Sequence, residues 1–287
     1  VTATAYEPPV AASRLGAGTR VWRFLKRHTL TVYAILALTY LMLPIAVVIL
    51  FSFNDPVGRF NYVWQGFTLE HWRNWDGVLG LREAVMTSLQ IAALSTLVAT
   101  ALGTLMAMAI VRHHFRGRGT ANILVFLPLA TPEIVLGASL LSLFITARIA
   151  TGFWTIFVAH VMFIVSFVVV TVKARLVGFD RHLEEAAMDL GANELTTFRT
   201  VTLPLLAPAI LAGALLGFAI SIDDFIITYF VAGPTQTFPI FVWGAARVAV
   251  PPQVNVIASA IFLVAVTVAV VNVIIASLRA GRQARGS

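Results

Sequence analysis

The chain of 287 residues is 59% hydrophobic and 11% charged, with a formal net charge of +7 and no cysteine. Soluble domains carry about 25% charged residues, so an aqueous globular protein is excluded. The lack of cysteine excludes a disulfide scaffold, a Cys-ligated zinc site, an iron–sulfur protein and a thiol enzyme. The basic residues flank apolar runs, where they act as topology signals and not as a nucleic-acid surface.

A membrane helix needs about 20 consecutive apolar residues, and six stretches qualify. The first, Leu30 to Phe53, lies in the charge-free interval between His28 and Asp55. It exceeds the about 7–15 residues of a signal-peptide core and no small-x-small site follows, so it is read as a retained span. In the tail before it, residues 1–29, the first residues around Pro8 and Pro9 are expected to be disordered. Arg20, Arg23, Lys26 and Arg27, interleaved with Val21, Trp22, Phe24 and Leu25, have the pattern of an interfacial anchor. An outer loop from Asn54 to Glu83 carries Trp64, Trp72 and Trp75, which are expected at the headgroup level as an aromatic belt.

The second span runs from Ala84 to Val111. The third, Ala121 to Phe144, contains Glu133, and Thr131-Pro132 is expected to distort it there. The fourth, Trp154 to Val172, contains His160. The fifth, Pro204 to Phe230, contains Asp223 and Asp224, and the sixth, Val254 to Leu278, has no charge. Fifteen of the 20 Lys and Arg residues fall on one side of this arrangement, leaving Arg59, Arg73, Arg82, Arg148 and Arg247 on the other. Both termini are therefore expected in the cytoplasm.

The inner connection between spans four and five, residues 173–203, is the most charged segment. From Asp180 to Gly191 it predicts a short helix, with Asp180 as N-cap, Glu184 and Glu185 near the positive end of the dipole, and Gly191 in a left-handed C′ position. Leu183, Ala186, Ala187 and Leu190 form one apolar stripe that asks for a partner. An acidic helix of this kind is disfavoured on an anionic lipid surface. A second helical segment spans about residues 193–201, and Leu203-Pro204 is expected to begin the fifth span.

Glu185-Ala186-Ala187, Gly191 and Val201-Thr202-Leu203-Pro204 keep the spacing of the EAA loop, with Val201 where isoleucine is commoner. On these residues the chain resembles the inner-membrane permease subunits of binding-protein-dependent ABC importers. Four further words narrow the resemblance: Phe51-Ser52-Phe53-Asn54; Trp64-Gln65-Gly66-Phe67-Thr68-Leu69; Pro132-Glu133-Ile134-Val135-Leu136-Gly137; and Ser221-Ile222-Asp223-Asp224-Phe225 with Phe230-Val231-Ala232-Gly233-Pro234. In this order they are similar to spermidine/putrescine permease subunits of the second permease type.

The resemblance implies an all-α polytopic fold of six transmembrane helices, the type I ABC importer permease (MetI-like) fold, in the inner or plasma membrane. Residues 84–278 would be the shared five-helix permease domain, residues 30–83 an added first helix with its outer loop, and residues 279–287 a cytoplasmic tail. Glu185, Ala186, Ala187, Gly191, Leu203 and Pro204 would couple this chain to a separate ATPase. The implied partners are a second permease in a heterodimer, two ATP-binding subunits that hold ATP and Mg, and an extracytoplasmic polyamine-binding protein. No cofactor is expected in this chain itself.

A carboxylate in the hydrocarbon region costs about 2.5–3.5 kcal/mol and should face a partner or a water-filled path. At about 1.5 Å per residue, Glu133 lies roughly 18 Å in and Asp224 about 30 Å along its helix. Asp223 and Asp224 stand about 100° apart around a helix, so one of them at most points squarely into a pore. Spaced carboxylates with Phe225, Tyr229 and Trp243 as cation–π faces suit an extended polyammonium substrate. The competing assignments are a helix cap or a pair with Arg247 for Asp223 or Asp224, and a hydrogen-bonded structural acid for Glu133.

His160 reads as an interhelical hydrogen bonder. His113 and His114 are adjacent and cannot share a helix face as zinc ligands do. The sequence contains no H-E-x-x-H, no G-x-S-x-G and no G-x-x-x-x-G-K-[ST], and its two lysines, Lys26 and Lys173, sit in no phosphate-binding setting. No catalytic and no metal-ligating residue is assigned. Two rival functions are an ion-gradient-driven secondary transporter of a cation, working through Glu133 and Asp224, and an integral membrane enzyme using the scattered histidines.

Overall fold

The computed structural model describes the backbone of residues 17–58 and 60–283, and the side chains of residues 29–58, 60–271 and 274. The stretch around Pro8 and Pro9, the side chains of residues 20–27, Arg59, and residues 284–287 with Arg285 lie outside that description. Among the described residues the secondary structure is helical, apart from one isolated bridge between Asn54 and Phe67. The helices are α1 (Ala17–Phe51), α2 (Glu70–Arg73), α3 (Leu81–Arg112), α4 (Arg118–Ala130), α5 (Glu133–Thr146), α6 (Phe153–Val177), α7 (His182–Asp189) and α8 (Glu194–Thr197). A π turn (Phe198–Thr202) leads into α9 (Leu203–Asp223), followed by α10 (Ile226–Val231), α11 (Phe238–Ala246) and α12 (Pro252–Gln283).

Among the described residues five stretches are long and apolar enough to cross a bilayer: Thr29–Phe51, Leu81–Arg112, Phe153–Val177, Glu194–Asp223 and Pro252–Val271. The anticipated third helix, 121–144, is not one rod. It divides into α4 and α5, bent by 109° at the break, so the described residues hold five helices able to span, or six if the bent pair counts as one. The cause is Pro132, which has no N–H to donate and forces the residue before it out of the helical region. Thr131 is extended (φ −85°, ψ 130°) and its hydroxyl returns a hydrogen bond to the Leu127 carbonyl at 2.7 Å.

The fifth helix also departs from expectation, at both ends. It begins at Glu194 and not at Leu203, because Asn193 caps α8 by accepting from the Thr196 N–H at 2.8 Å and the chain stays helical through the π turn. Pro204 explains the π geometry: its ring would strike the carbonyl of Thr200 in a regular helix, and one extra residue per turn opens the space. The Leu203 N–H donates five residues back, to Phe198. At the far end the helix stops at Asp223, and Asp224 is extended (φ −65°, ψ 118°) before α10. The short α11 was not foreseen: nine residues between turns are too few to register as a span.

The core is a three-way packing of α3, α6 and α9, with α10 laid along α5 and α1 against α12. Buried Ala99, Ala107, Ile164, Val168, Val172 and Leu206 fill the α3–α6–α9 centre. Small residues set the helix separation, as is usual where packing and not the hydrophobic effect drives association in lipid. A Cβ on Gly103 would stand 2.8 Å from the Val168 side chain, and one on Gly217 would stand 2.5 Å from that of Ile164.

The outer loop is a knot that joins two of the family-like words. Asn54, fully buried, donates to Asn61 Oδ1 (2.7 Å) and to the Val63 carbonyl (2.8 Å), while its Oδ1 accepts from the Gln65 N–H at 2.7 Å. Phe53 stacks between Phe67 and Trp72, at 5.6 and 5.4 Å. Trp72 Nε1 donates to Ser52 Oγ at 3.2 Å, and Trp75 packs against the cluster of Leu81, Val85 and Phe238. Two of the three tryptophans expected in the aromatic belt are therefore tied into the protein, and Trp64 stays exposed.

Candidate functional site

Two places carry chemistry. The first is the loop around α7. Asp180 is not the N-cap expected of it: Arg181 holds that position without a side-chain cap, and Asp180, one residue earlier, accepts from the His182 N–H at 3.0 Å. Gly191 closes the helix with φ +91°, where a side chain would be strained. Leu183 and Leu190 are 48% and 90% exposed, and Ala186 is exposed while Ala187 is half-buried. The apolar stripe is thus presented outward without a partner in the isolated chain. Glu185 is exposed, with His182 Nδ1 3.0 Å from its Oε2.

Glu184, its neighbour, turns inward. Arg112 Nη1 lies 2.6 Å from Glu184 Oε1, and the Thr202 hydroxyl donates to the same oxygen. Sequence reasoning placed both glutamates near the helix dipole and did not separate them. The missed signal was a basic residue, Arg112, ending the second apolar run on the same side of the membrane as the loop.

The second place is the break between α9 and α10. Asp224 Oδ2 accepts from the backbone N–H of Thr228 at 2.8 Å and from its hydroxyl at 2.7 Å. His160 Nε2 lies 2.9 Å from Thr228 Oγ1 and 3.3 Å from Asp224 Oδ2. On the other ring edge, Nδ1 is 2.7 Å from Ser221 Oγ, which is 3.2 Å from Ser95 Oγ; Ser95 donates to the Ile91 carbonyl at 2.6 Å. His160 is therefore an interhelical hydrogen bonder, joining α3, α6, α9 and α10. Ser95, Ser221 and Thr228 were not singled out beforehand; isolated hydroxyls in apolar runs were the available sign.

Asp223 is exposed, as is Glu133 at the first turn of α5. Among the described residues neither Asp223 nor Asp224 pairs with Arg247. Arg247 instead stacks on Trp243, 5.0 Å from the ring centroid. Phe225 meets Tyr229 at 5.4 Å and Trp243 at 5.2 Å, so the three aromatic candidates form one cluster beside the break. Near Glu133, α5 and α10 are neighbours, and Gly137 sits against Phe230, where a Cβ would approach to 2.7 Å. No group of three or more His, Cys, Asp or Glu able to hold a metal occurs among the described residues.

Residues 99–281 match the family described as binding-protein-dependent transport system inner membrane component. The chain belongs to this family. It is a transport subunit and a multi-pass inner-membrane protein. It is 39% identical over 242 residues to the spermidine/putrescine transport system permease protein PotC of Escherichia coli (strain K12), covering 83% of this chain and 89% of that one. To the putrescine transport system permease protein PotI of the same strain it is 37% identical over 243 residues, covering 80% and 84%.

Among solved structures, a chain of a bacterial ABC transporter that imports the acidic polysaccharide alginate aligns with TM-score 0.62 at 16% identity, over 86% of this chain and 95% of that one. A chain of the inward-facing MetNI methionine ABC transporter aligns with TM-score 0.54 at 15% identity, over 66% and 90%. At these identities the likeness establishes the fold: an all-α permease of the MetI-like type.

Proposed function

We propose that this chain forms one half of the translocation path of an ABC importer for polyamines, with both termini in the cytoplasm and α7 docked on a separate ATPase. The observation that carries the reading is α7 itself: a short helix bearing Glu185-Ala186-Ala187, closed by a left-handed Gly191, with Leu183 and Leu190 exposed and unpartnered. The 39% and 37% identity to permeases named for spermidine and putrescine supports the substrate class.

Within the path, Asp223 is the carboxylate that meets the passing ammonium group. Its exposure supports this, whereas Asp224 is engaged by Thr228 and His160 and frames the break. The cluster of Phe225, Tyr229 and Trp243 offers further faces to the cation, and Arg247 on Trp243 occupies one of them until it moves. Glu133, at the bend of α4 and α5, is a second acidic station. Leu203 and Pro204 set the π turn through which the loop enters α9. A second permease, an ATPase pair holding ATP and Mg, and an extracytoplasmic binding protein complete the assembly; no cofactor is assigned to this chain.

Purification of the tagged chain from its own membranes tests this directly. A second permease and an ATP-binding subunit should copurify in equal copies of permease and ATPase. Recovery of the chain without any ATPase would contradict the reading and favour a gradient-driven transporter.

A further inference from the structure

The loop around α7 is joined to the membrane helices in two ways. Along the chain, α7 packs on α8 and the π turn and so leads into α9. Across space, Glu184 reaches the last residue of α3. Arg112 Nη1 and the buried Thr202 hydroxyl both bond Glu184 Oε1, and the Arg112 and Glu184 side chains are 18% and 13% exposed. The Phe179 ring, 5.4 Å from the guanidinium, holds Arg112 from another side.

We propose that Glu184 is a positioning residue that ties the coupling helix to α3, so that displacement of α7 moves α3 and α9 together. This rests on the importer reading above. Its physical basis is the three-way core: α3 and α9 each pack on α6 and on one another. A pull transmitted by chain continuity reaches α9; among the described residues the ion pair of Glu184 with Arg112 is what joins α7 to the end of α3. A short, desolvated charge pair is stiff, because displacing either group leaves a buried charge unpaired.

The division between the two glutamates follows. Glu185 is 61% exposed and free to meet a partner, while Glu184 grips the permease. Arg112 Nη2 is buried with no acceptor among the described residues. The pair is therefore single-armed, through Nη1 alone.

The test uses the full complex with its binding protein in proteoliposomes. Glu184→Gln and Arg112→Gln should each keep the ATPase subunit bound and the basal ATPase rate, although each leaves a partner unpaired and so lowers the melting temperature. Each should lower substrate-stimulated ATPase and uptake by about 5-fold or more, the lower end of ordinary coupling between sites. The double variant should be no worse than either single, because the two groups act as one unit. The exchange Arg112→Glu with Glu184→Arg should recover part of the stimulation.

Wild-type stimulation in Glu184→Gln overturns the proposal. So do losses that multiply in the double variant, or a parallel fall in assembly and basal ATPase rate, which would mark a merely structural contact. Absence of ATPase from the wild-type preparation overturns the importer reading itself, and the tie with it.

Discussion

His160 and Asp224 meet across the break between α9 and α10, with Nε2 3.3 Å from the carboxylate and the two side chains 4% and 7% exposed. The helix is interrupted without a proline or glycine from Ser221 to Val231. What holds the break is a side chain: Asp224 takes the Thr228 N–H that the interrupted helix leaves free, and the imidazole fixes Asp224 from α6. Asp224→Asn should therefore destabilise the protein by about 1.5–3 kcal/mol, the range for hydrogen bonds to charged groups. Thermal unfolding in detergent checks this. A melting temperature equal to wild type would remove the structural role assigned to Asp224.

Asp223, one residue earlier and exposed, should behave in the opposite way. Asp223→Asn keeps size and polarity, so melting temperature and basal ATPase should be unchanged. Uptake of a cationic substrate should fall about 5-fold, equivalent to the ~1 kcal/mol at the upper end for an exposed charge pair. The readout is initial uptake rate in proteoliposomes. Unchanged uptake would take Asp223 out of the path.

How much of this was legible in advance depends on the kind of signal. Long charge-free runs mark the spans in α1, α3, α6, α9 and α12, because burial in hydrocarbon is a demand on composition. Gly191 at φ +91° and the Pro132 break were legible because each residue type has a local backbone consequence. The end of α9 at Asp223 was not, since it depends on contacts of Asp224 with Thr228 and with His160, far away in sequence. The contrast between Glu184 and Glu185 was equally hidden: helical phase separates them, but the donor to the inward one, Arg112, comes from α3.

Docking of α7 makes a prediction at its closely approached face. Ala187→Arg puts a long cation where a half-buried methyl stands, and Gly191→Pro demands φ near −65° where the chain has +91°. Both variants should insert normally and lose substrate-stimulated ATP hydrolysis. Normal stimulation in either would dissociate α7 from the ATPase.

Orientation can be read from single cysteines, since the chain has none of its own. Gly58 and Gly119 are exposed, and a Cβ at either meets nothing within 4 Å. Gly119→Cys should be labelled by an impermeant maleimide only after the cells are opened, and Gly58→Cys in intact cells. The reverse pattern would place α7 outside and end its assignment as the coupling helix.

The central claim is that ATP, and not an ion gradient, drives a polyamine through this permease. The most direct measurement is uptake of radiolabelled putrescine and spermidine into proteoliposomes holding the purified complex, with binding protein outside and ATP inside. The account predicts uptake that requires both internal ATP and the binding protein and survives ionophores that collapse proton and sodium gradients. Uptake that proceeds without ATP and stops when the gradients are collapsed would contradict it.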